Sequence, residues 1–229
     1  MKIKRFLIAG TIIFAIGLII LLFVIFQPGF AYNSSQLIEK VDKYDEILNI
    51  DYCGDAEGLV IEYSQDTNEV ITYNSDNMWY DVSYNETTKT VVIKQQTKPI
   101  IFSIGYSRAN KPVVIRVNAE LTNVDVEVDA GDVSFSDISI KNLKVVVDAG
   151  KVSFSNCIVE DANIEIDAGA VEYTGKITNQ FICNIDVGSV TLNLNQKQNE
   201  FKVNGSGQGS IIINISIDVG SQDIKYLNE

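Results

Sequence analysis

The chain has no histidine, which removes the commonest metal ligand and the general base of Ser-His-Asp and Cys-His catalytic arrangements. Its three cysteines, Cys53, Cys157 and Cys183, are an odd number without a C-x-x-C spacing, so they describe neither a disulfide framework nor a zinc site. They read as small apolar residues of a core, with a Cys157–Cys183 bridge as the alternative. Proline is scarce, at three residues, and tryptophan occurs once, at Trp79. Positive charge is scarce too. With Lys2, Lys4 and Arg5 set aside, 15 Lys and Arg face 30 Asp and Glu, a net charge of −15 that repels nucleic acid and other anionic polymers. Disorder is excluded by the 46% hydrophobic content, and 229 residues suffice for one domain with a substantial core.

What is abundant near the N-terminus is apolar sequence. Residues 6–26 contain no charge, and at 1.5 Å per residue 21 residues span about 32 Å, the thickness of a bilayer core. This predicts a transmembrane helix. Lys2, Lys4 and Arg5 precede it, so residues 1–5 are expected in the cytoplasm and the bulk of the chain outside, in a single-pass cell-membrane protein. A cleaved signal peptide, with Gly29 and Ala31 before the cut, is the rival reading, but its apolar region is ordinarily about 7–15 residues. Residues 27–46 read as a stalk or linker with a short helix in it, and 47–229 as the extracytoplasmic domain.

The strongest signal is a repeat. From Val128 the chain reads VDAGDVSF, from Val147 VDAGKVSF, from Ile166 IDAGAVEY, from Ile185 IDVGSVTL and from Ile217 IDVGSQDI. Asp129, Asp148, Asp167 and Asp186 follow one another at 19 residues, and Asp218 after 32. At that period Val126, Val145, Ile164 and Cys183 form one apolar column, and Phe135, Phe154, Tyr173 and Leu192 another. Polar residues alternate with them, as in half-buried strands. Each repeat is too small to bury its own face, so neighbours must stack. The expectation is an all-β, β-solenoid-like stack of about five 19-residue strand-turn-strand rungs. Strand-like stretches at 47–52, 59–63, 69–73, 79–84 and 90–94 suggest an N-terminal β-meander capping that stack. Residues 107–117 suggest an irregular rung, and 196–209 break the register before it resumes at Ile211.

The segment ILNIDYCGDAEGLVIE from Ile47 and the later D-A-G and D-V-G turns resemble the family of membrane-anchored bacterial envelope proteins called putative adhesins, with β-strand repeats, over residues 45–229. That resemblance implies a surface protein without catalytic residues, and it extends to envelope-stress regulators bearing similar β-domains.

Several constellations invite a chemical reading. The aspartate column could line calcium, yet each Asp stands two residues before Gly131, Gly150, Gly169, Gly188 or Gly220, a pattern that predicts turn capping by the carboxylate and a positive φ at glycine. Paired carboxylates could cleave a glycan. That chemistry also wants aromatic platforms and basic side chains, and Arg108 and Arg116 are the only arginines beyond the stalk. G-S-G-Q-G-S at 205–210 lacks the Lys-Ser/Thr of a phosphate loop and reads as a plain loop. Tyr63, Tyr73, Trp79, Tyr80 and Tyr84 are either core or a contact patch. No catalytic, cofactor-binding or metal residue is therefore expected, and no cofactor. The function read from the sequence is a non-enzymatic, membrane-anchored, extracytoplasmic binding or structural module. Its partner would be a protein, a glycan or, through the solenoid edges, another copy. The alternatives are an envelope-stress regulator acting on a membrane partner and, behind it, a carbohydrate-active enzyme.

Overall fold

The computed structural model describes residues 37–55, 58–98 and 111–226, all within one compact unit, Gln36–Pro99 with Ala109–Glu229. The expected transmembrane segment 6–26, the first part of the stalk and Arg108 lie outside the described residues. Among the described residues no helix is long and apolar enough to cross a membrane, and the strands form a single 13-stranded, curled open sheet. In chain order they are β1 (Ile38–Tyr44), β2 (Asn49–Gly54), β3 (Leu59–Tyr63), β4 (Asn68–Asn74), β5 (Met78–Asn85), β6 (Thr90–Thr97), β7 (Val113–Val117), β8 (Leu121–Ala130), β9 (Val133–Ser136), β10 (Ser139–Leu194), β11 (Phe201–Val203), β12 (Ser206–Gly207) and β13 (Ile211–Tyr226).

The 19-residue period is the hydrogen-bonding register. Val147 pairs with Val128 and Phe154 with Phe135, both in parallel. β10 runs for 56 residues, nearly three periods, and β13 lies parallel to its last part with Val187 opposite Val219, the 32-residue interval seen in the sequence. The inward columns are buried throughout: Val126, Val145, Ile164 and Cys183 are fully enclosed, and Val133, Val152, Val171 and Val190 nearly so. The aromatic column stacks directly. Phe135 and Phe154 lie face to face at 4.7 Å and 4°, and Phe154 meets Tyr173 at 5.1 Å, each pair contributing about 1 kcal/mol beyond its area. The Tyr173 hydroxyl donates to the Lys176 carbonyl at 2.7 Å, which satisfies the one polar atom that column buries.

Four expectations are corrected. The N-terminal strands are not a meander laid over the stack but part of it. β2 pairs in parallel with β8 and β3 with β9, so 49–63 is a full repeat, while β6 and β7 pair with the outer edges of β2 and β3. β4 and β5 then run antiparallel on β7 and β6. The stack thus continues beyond the five D-x-G repeats, and in space the segment 49–63 lies between 90–117 and 121–136, although it comes first in the chain. Arg116 ties this end together, its Nε 2.8 Å from Glu62 on β3 and its Nη1 2.8 Å from Glu69 on β4.

Second, part of the stalk is strand. Residues 38–44 form β1, antiparallel to β4, and the strand reads as a polar linker because an edge strand has little to bury. Third, Cys53 is exposed and not in the core, whereas Cys157 and Cys183 are free buried thiols, as the core reading expects, and do not pair. Fourth, the expected positive φ occurs at Gly150, Gly188 and Gly220 but not at Gly131 and Gly169, and close approach of backbones constrains these corners as well. A Cβ on Gly169 would collide with the Gly150 carbonyl oxygen, and one on Gly188 with that of Gly169. The backbones of successive repeats touch at this corner, and glycine is the residue that lets them.

Two measurements follow. In urea unfolding, Gly169→Ala should cost at least about 2 kcal/mol and Val147→Asp several, against about 0.5 kcal/mol or less for Lys144→Ala on the outer face. Comparable losses at Val147 and Lys144 would refute this assignment of faces. Burial also pushes the Cys183 thiol up to about 12 from its ordinary 9.0. The native state holds the thiol neutral while the unfolded chain ionises it, so this contribution is complete below pH 9 and is lost as pH rises towards about 12. Cys183→Val, which suits a column of Val126, Val145 and Ile164, should flatten the alkaline fall of the urea midpoint.

Candidate functional site

Because inward positions are fixed by the core, any site must use the outward side chains, and these also stack into columns. On the first arm of each repeat Asn49 lies opposite Asn123, and Asn123 opposite Asn142; Asp161 and Gln180 continue the 19-residue interval. Two positions on, Asp51 lies opposite Asp125 and Asp125 opposite Lys144. These columns border an open groove of about 760 Å³ that crosses several repeats.

The amides of the first column are joined. Asn49 Nδ2 donates to the Thr88 carbonyl at 2.6 Å, Asn123 Nδ2 to Asn49 Oδ1 at 2.7 Å, and Asn142 Nδ2 to Asn123 Oδ1 at 3.1 Å. All three donate in one direction, so their dipoles reinforce one another. The column then changes to carboxylate: Asp161 accepts from Asn179 Nδ2 at 2.6 Å. Lys144 sits 3.7 Å from Asp125 at the groove wall. The result is an open trough in which polar columns stand beside apolar side chains such as Val124, Leu143 and Ile182, with rows at the strand spacing of about 4.8 Å.

The residues singled out by sequence fall elsewhere. Asp129, Asp148, Asp167, Asp186 and Asp218 are exposed, and none of these carboxylates accepts a hydrogen bond from its own turn, which corrects the capping expectation. The corner is extended backbone and presents no ring of N–H donors to the side chain. Among the described residues no three His, Cys, Asp or Glu side chains group closely enough to hold a metal ion. The aromatic set is dispersed: Tyr80 is buried, Tyr84 packs on Tyr44 at 4.5 Å, Tyr73 lies under the Lys111 ammonium at 4.5 Å, and Tyr63 is exposed. G-S-G-Q-G-S supplies β12, which pairs antiparallel with β11. The exposed Cys53 thiol is raised by partial burial and then by Glu127, Asp55 and Asp129, which makes it a poor nucleophile. The amide column was missed, although Asn123, Asn142, Asp161 and Gln180 stand at the same interval as the aspartates.

Comparison with known proteins gives a family and little more. Residues 38–225 match the family model described as Toastrack DUF4097. No curated protein matches the chain. Similar solved structures include a putative cell adhesion protein from Clostridium sporogenes (16% identity, 84% of this chain and 100% of that one, TM-score 0.39). A putative adhesin from Bacteroides fragilis is similar at 17% identity, over 84% of this chain and 97% of that one, with a TM-score of 0.38. At these values neither carries a functional argument.

The free aspartate column yields an expected null result. Asp148→Ala should change stability by no more than about 0.5 kcal/mol, and millimolar calcium against chelator should move the melting temperature by less than about 1 °C. A calcium shift of several degrees that disappears in Asp148→Ala would instead make the column a metal site.

Proposed function

We propose that this chain, which belongs to the Toastrack DUF4097 family, is a non-enzymatic, adhesin-like binding module held on the outer face of a membrane. The observation that carries the reading is the groove. Its walls are columns of Asn, Asp, Gln and Lys fixed on a stacked sheet. The curled sheet acts as a solenoid-like spacer in which each repeat adds one more row of contacts, so affinity accumulates along the face and no single residue dominates. The apolar run at 6–26 with its basic N-terminal flank supports a single-pass anchor, N-terminus inside. The acidic surface favours neutral or cationic partners, such as uncharged glycans or protein segments, over nucleic acid.

The test uses full-length protein in its own membranes. It should sediment at full mass and lose its bulk to external protease; a soluble form beginning near Tyr32 would overturn the anchor. A photo-crosslinking side chain at Asn142, in the groove, should capture a partner that the same group at Glu172, on the second arm, does not. Equal capture at both positions, or none at Asn142, would remove the groove from the proposal.

A further inference from the structure

The two ends of the stack are finished differently, and one is left half open. At the C-terminal end β11 covers only the start of β13, pairing Phe201–Val203 with Ile211–Ile213. From Ile217 to Tyr226 the other edge of β13 has no strand beside it among the described residues. The core registers the gap. Leu192 and Leu194 are buried, but their register partners Ile224 and Tyr226 are only half-buried: among the described residues no strand pairs beyond them, and Tyr226 meets the Phe201 ring at 5.6 Å. A strand edge without a paired neighbour over a half-covered apolar end is a template for one more strand.

The sequence of this arm suits a second copy of itself. In an antiparallel pairing about a two-fold axis through Ile224, Asp223 falls opposite Lys225 twice, Gln222 opposite Tyr226 twice, and Ile224 opposite Ile224. Directly opposed residues share a face, so Ile224 and Tyr226 stay on the core side while Asp223 and Lys225 stay outside. Every charge meets its opposite. Asp223 and Lys225 already attract each other along the strand at 3.1 Å, and both are exposed and available to a partner. The opposite end shows that this sheet accepts such a junction, since β5 lies antiparallel on β6 over Met78–Asn85. We propose that residues 222–226 form an isologous homodimer edge, joining two domains end to end into one continuous sheet with two-fold symmetry.

The test is charge reversal in the full-length protein, in detergent and in membranes. Asp223→Lys and Lys225→Asp should each weaken dimerisation roughly tenfold or more, because two like-charge pairs replace two attractive ones. The double variant should restore it. In a Cys53→Ser background, Ile224→Cys should give a disulfide-linked dimer on mild oxidation, whereas Ile158→Cys, exposed on a middle repeat, should not. The proposal is overturned if the wild-type chain is monomeric at all concentrations, if either single reversal leaves the dimer intact, or if the double reversal fails to rescue it. Crosslinking of Ile224→Cys only to a different protein, or to an equal extent at both cysteines, would also overturn it.

Discussion

The backbone-to-backbone contact at the repeat corner is the constraint from which the other features follow. A repeat of 19 residues has one apolar face and no means of enclosing it alone. It is enclosed by lying at strand spacing on a neighbour, and at the D-x-G corner that spacing leaves no room for a side chain between successive backbones. Once the corner is fixed, both arms fall into register, the valine and aromatic columns close, and Phe135, Phe154 and Tyr173 come into ring contact. A slip by one residue would turn every inward side chain outward. Glycine at the corner therefore excludes a family of wrong registers as well as permitting the right one.

That constraint also explains why the N-terminal part takes so unusual a path. The segment 49–63 has the same arm and corner lengths as 121–136, so it fits directly on the regular stack, offset by 74 residues at both arms. The chain then reverses through β4 and β5 and returns as β6 and β7 to fill the place between. The reversed strands end the parallel stack with an antiparallel pair, and the Arg116 ion pairs fasten β3, β7 and β4 across that seam. Glu69 is nearly buried, so its guanidinium partner is a condition of that burial and not an ornament of the surface.

The regular repeats were legible because a constant interval aligns residues that also touch. Val147 over Val128 and Phe154 over Phe135 follow from counting alone. The N-terminal arrangement escaped for the converse reason: β2 meets β8 at an offset of 74, β6 at 41, and β3 meets β7 at 54, so no single period connects them. β1 escaped because one strand with both faces largely exposed has the composition of a linker. Local turn chemistry misled at the aspartates, since D-x-G in an isolated turn predicts a carboxylate over backbone donors, whereas an extended corner directs those donors to the next repeat, as Gly131 N–H does to the Ala149 carbonyl at 3.0 Å. The amide groove lay within reach of the same counting. It was passed over because asparagine carries no catalytic or metal-binding signature.

Outward charge shows how the remaining freedom is used. The repeat 139–155 is the one rich in lysine on its outer surface, and its lysines reach neighbours on both sides: Lys141 to Glu120 at 3.8 Å, Lys144 to Asp125 at 3.7 Å, and Lys151 to Glu172 at 2.6 Å. Each pair is exposed, and such pairs contribute about 1 kcal/mol or less, so they do little for stability singly. Their placement matters more. In a chain with twice as many acids as bases beyond the N-terminus, this repeat sets its ammonium groups against carboxylates of both neighbours, while carboxylates still meet elsewhere, as Asp51 meets Asp125. The apolar columns are nearly identical from repeat to repeat and cannot tell one neighbour from another. The outer charges differ from repeat to repeat, and so they can specify which repeat lies on which.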